Sequence, residues 1–303
     1  MTCHSWTPIN LTTPQHAFSQ VRLEAEPSCT TFEALCRRFP HISAAVWLDR
    51  FTRGLILDEE GRPLSSTDLH CPGRRVRYCR EIVDERPIPF TETILYQDEH
   101  LVVADKPHFL PISPTGPWVK ESLLNRLMVR LDNPELSPIH RLDRGTAGVV
   151  MFSTNPLYRN RYQALFRERK IEKTYEALAP PLSQLAFPHV RRTRIIRGDP
   201  FFLSQEVEGE PNSETIIEVI KEQPLYWHYR LHPQTGKKHQ LRLHMAALGA
   251  PILDDPYYSK TDTKQKDDYN RPMALIARTL KFTDPISGTK HHFVSDRPIG
   301  NTI

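Results

Sequence analysis

Behind Thr30, a residue able to cap, Phe32, Leu35 and Phe39 recur at helical spacing, so the pattern predicts a short amphipathic helix. "AVWLDRFTRGLILDEEGRPL" then predicts a second helix or turn and a short strand ended by the Glu60-Gly61 turn. In "GRRVRYCREI", Val76 and Tyr78 alternate with arginine as in a half-buried strand. The stretch "DERPIPFTETILYQDEH", Asp84 to His100, carries two prolines ahead of a new apolar run. It divides the chain near residue 90 into a small unit, 1–90, and a larger one, 91–303.

In the larger unit, "TILYQDEHLVVADKP" predicts two strands around a turn at Gln97–His100, the second carrying the buried run Leu101, Val102 and Val103. Leu123, Leu127 and Leu131 form the stripe of an amphipathic helix, and Gly148 to Phe152 reads as a central strand. A Thr154-Asn155 cap and Pro156 at the first helical position open a helix with Tyr158, Tyr162 and Leu165 on its apolar face. "KIEKTYEALAPP" puts Ile171, Lys173, Tyr175 and Ala177 on one side of a strand. "HPQTGKKHQLRLHMAALGAPIL" predicts a helix with Leu241, Met245 and Leu248 inward, ended by Gly249 and Pro251. Lys237, Lys238, His239 and Arg242 gather near its start, an arrangement suited to anions. Many strands with fewer helices indicate an α+β protein around a mixed, largely antiparallel central sheet with flanking helices.

The 303 residues carry a net charge of +4, too modest to argue for nucleic acid by itself. Five cysteines, Cys3, Cys29, Cys36, Cys71 and Cys79, include no C-x-x-C pair, and the fourteen histidines form no H-E-x-x-H, so no metal site is signalled and the thiols are expected reduced. No apolar stretch approaches the length of a membrane helix, and the opening "MTCHSWTPIN" lacks a secretory profile, so a cytoplasmic protein is expected.

One acid stands out in "SPIHRLDRGTAGVVMFSTN". Asp143 lies between Arg141 and Arg144 just before a buried strand, which fixes its backbone while its side chain is free to face a cleft. The bland alternative is a surface ion-pair cluster, of a kind contributing only about 0–1 kcal/mol.

Four segments in one order change that balance. "ILYQDEHLVVADKP", "IHRLDRGTAG", "KTYEAL" and "TGKKHQLRLHMAALGAPILDDPYY", followed by "RPMALIARTLKF", resemble the RluA-type RNA pseudouridine synthases over residues 91 to 285. The chain departs from the usual pattern at Ala147, Lys237, Ala250, Asp254 and Ile276, none of which removes a charged centre that the chemistry uses. The small unit's helix, helix, hairpin order loosely resembles the S4 RNA-binding module.

The resemblance implies the pseudouridine synthase fold and a cofactor-free exchange of a uridine's N-glycosidic bond for a C-glycosidic one in structured RNA, ribosomal or transfer. It implies Asp143 as the catalytic carboxylate, Arg242 as its cation, and Tyr175 as the ring stacked on uracil and a proton relay. It also implies Arg141 as the side chain replacing an everted nucleotide, and Leu275 as the apolar floor of the uracil pocket. Arg144, Lys237, Lys238, His239 and Gln240 are expected to meet RNA, with no membrane and no metal, and the protein acting as a monomer. Two readings compete with this one. One is a non-catalytic RNA-binding module with a structural Asp143. The other is a glycosidase, which needs paired carboxylates; nothing in the sequence makes Asp254 or Asp255 face Asp143.

Overall fold

The computed structural model describes residues 18–24, 29–71, 73–81, 85–259 and 267–300; the opening ten residues and Cys3 lie outside them. The elements in chain order are β1 (Phe18–Arg22), α1 (Thr31–Arg38), α2 (Ala44–Thr52), β2 (Ile56–Leu57), β3 (Arg75–Cys79), β4 (Thr93–Gln97) and β5 (Leu101–Lys106). Then come α3 (Leu123–Arg130), β6 (Ser137–Pro138), β7 (Ala147–Ser153), α4 (Pro156–Arg167), β8 (Ile171–Ala179), β9 (His189–Arg197) and β10 (Ser204–Val207). The chain continues with β11 (Ser213–Lys221), β12 (Trp227–Pro233), α5 (Gln240–Ala247), β13 (Leu275–Thr283) and β14 (Lys290–Val294).

The small unit pairs a three-stranded antiparallel sheet, ordered β1-β3-β2, with α1 and α2. Thr30 starts α1 by a reciprocal cap: its hydroxyl accepts from Glu33 N while the Glu33 carboxylate accepts from Thr30 N. Leu35, Trp47, Ile56 and Val76, all fully buried, make its core. The predicted order of two helices, a short strand and a longer one is present. The leading strand β1 has no counterpart in the sequence reading.

The connection between the units packs on the larger one. One carboxylate, Glu85, accepts from the backbone N–H groups of Val119, Lys120 and Glu121 at 2.7–2.9 Å, ahead of α3. Ile88 is buried among Leu123 and Leu127, and Arg126 holds the Ile88 and Phe90 carbonyls. Ile88 and the half-buried Phe90 thus pack in the core of the larger unit.

An eleven-stranded sheet runs β10-β9-β11-β12-β8-β13-β7-β5-β4, with β14 on β13 and β6 on β7. Every pairing is antiparallel except β13 with β7. This is the mixed, largely antiparallel sheet that the alternation predicts. Strand β7 shows why its apolar run is unbroken: both of its faces are covered. Val150 and Phe152 pack toward Leu123 and Leu127 of α3, while Val149 and Met151 pack toward Tyr162 and Leu165 of α4. Each buried side chain of this size contributes about 1.5–3 kcal/mol. Gly148 has φ +114°, and a Cβ there would lie 2.2 Å from the Ala277 carbonyl oxygen, so only glycine lets β13 approach β7 this closely. Strands β8, β13 and β7 are therefore neighbours, and they deliver Tyr175, Leu275 and Asp143 to one place.

Cys29, Cys36, Cys71 and Cys79 are free thiols. Among the described residues no helix is long and apolar enough to cross a membrane.

Candidate active site

A cleft of about 1740 Å³ opens over this part of the sheet. Asp143 enters it from the turn between β6 and β7, closed by Thr146 N donating to the Asp143 carbonyl at 3.0 Å. Two side chains hold the turn from beneath. Lys106, fully buried at the end of β5, donates through Nζ to the carbonyls of Pro107, Leu110 and Arg144 at 2.7–3.1 Å. His108 Nδ1 donates to the Gly145 carbonyl at 2.7 Å. Burial pushes the Lys106 ammonium well below its ordinary range, and Asp143 acts in the opposite sense.

Arg242, 3% exposed on α5, lies between two acids. Its Nη1 donates to Asp143 Oδ2 at 3.0 Å, while Nε and Nη2 donate to Asp255 Oδ2 and Oδ1 at 2.8 and 2.7 Å. Asp255 Oδ1 also accepts from the backbone N–H groups of Tyr257 and Tyr258. The guanidinium carbon lies 5.1 Å from the Tyr257 ring centre and 5.3 Å from that of Tyr258. Burial pulls the guanidinium down, but hydrogen bonds and charge from Asp255 and Asp143 outweigh it and hold Arg242 in its charged form. A bidentate pair fixes the plane of the fork, so one Nη1–H is aimed at Asp143 before any substrate arrives.

Asp143 is the open member of this triad, with its side chain 28% exposed. Its Oδ1 has no hydrogen-bond donor among the described residues; His239 Nε2 stands 3.8 Å away. His239 is pushed down to about 4 by burial, with Asp143 opposing, so it is neutral at physiological pH. Its Nδ1 shares a hydrogen bond with the Tyr258 hydroxyl at 2.9 Å. His239 and Asp254 have φ +56° and +58°. These two left-handed residues precede the helix bearing Arg242 and the Asp255 carboxylate, in the region His and Asp enter more readily than most.

Helix α5 is pinned from below. His244, fully buried, meets the Thr215 hydroxyl through Nδ1 and the Thr193 and Ser213 hydroxyls through Nε2, at 2.9–3.1 Å. Gln240 donates to Glu214 O and Thr215 Oγ1 and accepts from Thr235 Oγ1 and Lys237 N. The side chain expected to meet RNA is thus turned inward, where it holds the loop.

Tyr175 faces the cleft from β8, and its hydroxyl has no hydrogen-bond partner among the described residues. Burial first, and the charge of Asp143 second, push the phenol above its ordinary range. It keeps its proton. Leu275, 3% exposed, lines the cleft at the start of β13 and packs in the cluster that Tyr175 joins. Arg141 is exposed and partnerless among the described residues. Arg144 instead pairs with Asp267 and lies over the Trp118 ring. Lys237 and Lys238 stand exposed at the rim, so the cationic group expected at the start of α5 divides into two outward lysines and an inward His239 and Arg242.

Asp143, Arg242, Tyr175 and Leu275 therefore converge. The sequence reading missed Asp255, which gave no reason to be near Asp143 yet shares its cation. It also missed the supports Lys106 and His108. Both "DDPYY" and "ADKP" were in view, but neither shows that an acid or an ammonium will be buried.

Comparison with known proteins bears on the same region. Residues 100–247 match the family described as RNA pseudouridylate synthase. The chain is 33% identical over 209 residues to the dual-specificity RNA pseudouridine synthase RluA of Yersinia pestis, a match spanning 66% of this chain and 96% of that protein. It is 26% identical over 234 residues to an uncharacterized RNA pseudouridine synthase of Synechocystis, across 73% of this chain and 77% of that one. The solved human RNA pseudouridylate synthase domain containing 4 superposes with a TM-score of 0.53 at 27% identity, covering 68% of this chain and 88% of that one.

Proposed function

The chain belongs to the RluA-type RNA pseudouridine synthase family, which isomerises uridine to pseudouridine, and we propose that Asp143 carries this reaction with Arg242, Tyr175, Arg141 and Leu275 in separate roles. In the reaction the bond from C1′ to N1 breaks, a bond from C1′ to C5 forms, the C5 proton leaves and N1 gains one. Asp143 Oδ1 acts at the sugar, as nucleophile at C1′ or as the base taking a neighbouring proton. The observation that carries this reading is the Arg242 fork, locked by Asp255, with an Nη1–H on Asp143 Oδ2 and Oδ1 left free toward the cleft.

Tyr175 stacks on the detached uracil, and because its phenol holds its proton it relays rather than standing as a base. Leu275 forms the floor beneath the ring. Extruding a nucleotide from folded RNA costs a few kcal/mol. Arg141, exposed beside the acid, offsets that cost by stacking where the base was. Lys237, Lys238 and the small N-terminal unit supply phosphate contacts, which makes binding salt-dependent. On this reading the protein is a cytoplasmic monomer acting on ribosomal or transfer RNA without a cofactor.

Purified protein incubated with RNA labelled with tritium at uridine C5 is expected to release the label. No release from any cellular RNA would overturn the reading, and mapping pseudouridines in RNA from cells lacking the chain identifies the target.

A further inference from the structure

The hairpin joining β9 to β10 ends in two adjacent phenylalanines that the catalytic residues do not use. Phe201 is 67% exposed and Phe202 41%, an unusual pair to leave in water at the mouth of a cleft. They are not isolated. The Phe202 ring centre lies 5.6 Å from that of Tyr257, itself 49% exposed and 5.1 Å from the Arg242 guanidinium. Phe201 lies 5.8 Å from Phe202 and carries the Arg197 guanidinium 5.3 Å above its ring. Aromatic surface therefore runs without a break from the cation holding Asp143 outward to the hairpin tip. Beside Phe201 a hollow of about 460 Å³ is bordered by Arg197, Lys237 and Lys238. Both lysines also line the main cleft.

We propose that Phe201 and Phe202 are a stacking platform for an unpaired nucleotide next to the target uridine, with Arg197, Lys237 and Lys238 on its phosphate. The proposal rests on the cleft receiving RNA. Open rings beside exposed cations fit this ligand: each base offers a flat π-face and each linkage a negative charge. Charge complementarity and continuity with the cleft favour RNA over an apolar protein segment, which would leave three cations facing it unpaired.

Full-length protein is titrated with a fluorescein-labelled oligouridylate of about nine residues, and with the same strand carrying 2-aminopurine beside a uridine. Wild type is expected to bind and to quench the 2-aminopurine. The double variant Phe201→Ala/Phe202→Ala should bind about ten- to a hundredfold more weakly without quenching, and Phe201→Tyr/Phe202→Trp should restore both. Equal affinity and quenching in wild type and the alanine variant overturn the proposal, as does failure of wild type to bind the strand. A wild-type dimer by light scattering that the alanine variant dissolves would show a self-association face and would also overturn it. Tritium release by wild type on cellular RNA separates the two levels: release with an inert platform sinks only the platform, and absence of release sinks the enzyme reading itself.

Discussion

Replacing Arg242 by lysine preserves the charge and removes the fork. The native guanidinium makes three charge-assisted hydrogen bonds of 2.7–3.0 Å, two to Asp255 and one to Asp143. A single ammonium on a flexible stem cannot reproduce that geometry. Asp255, only 1% exposed, retains the greater demand for the cation, so the contact to Asp143 is lost first. Each such bond is worth about 1.5–3 kcal/mol. Loss of the Asp143 contact should therefore lower kcat by roughly ten- to 150-fold. Loss of one Asp255 contact should appear separately, as about 1.5–3 kcal/mol less stability in urea unfolding. RNA affinity should stay within about threefold, because Arg141, Lys237 and Lys238 are untouched. Tritium release, urea melts and RNA titration on one preparation of Arg242→Lys measure all three. A kcat close to wild type, or a loss of affinity in step with kcat, would refute the reasoning and make Arg242 a phosphate contact.

Tyr175→Phe retains the ring, so KM should change little while kcat falls about ten- to a hundredfold in the release assay if the hydroxyl relays a proton. Gly148→Ala places a Cβ 2.2 Å from the Ala277 carbonyl oxygen at φ +114° and should cost about 4 kcal/mol or more, or prevent folding, as read by urea unfolding. Burial holds His108, His239 and His244 at about 4 and His140 at about 3 in the fold. The unfolded chain, with histidine near its ordinary 6.5, binds more protons between those values. Stability is therefore complete above about pH 6.5 and falls toward pH 4, by at most about 1.4 kcal/mol per pH unit for each histidine, which urea melts across that range measure.

Period and capping carried most of the fold. The Pro156 helix start, the α3 leucine stripe and the two-sided burial of β7 follow from local signals that tertiary packing reinforces. Strand β1 was not legible because "FSQVR" is a polar edge strand, paired only through β3, with no apolar run of its own. Asp143, Tyr175 and Arg242 were legible through their motifs; Asp255 was not. Its role depends on α5 and the Asp254–Tyr258 turn meeting in space, and on Asp254 and His239 adopting left-handed backbone, neither of which has a periodic signature. Gln240 illustrates the converse. A polar residue beside two lysines reads as a ligand contact, yet the nearby β11 backbone and Thr235 engage its amide.

The account turns on the carboxylate of Asp143. Asp143→Asn keeps the shape and a hydrogen-bond acceptor for Arg242 while removing the anion, so the variant should fold and bind RNA like wild type yet release no tritium above background from uridine-labelled RNA. Release at a rate comparable to wild type would contradict it.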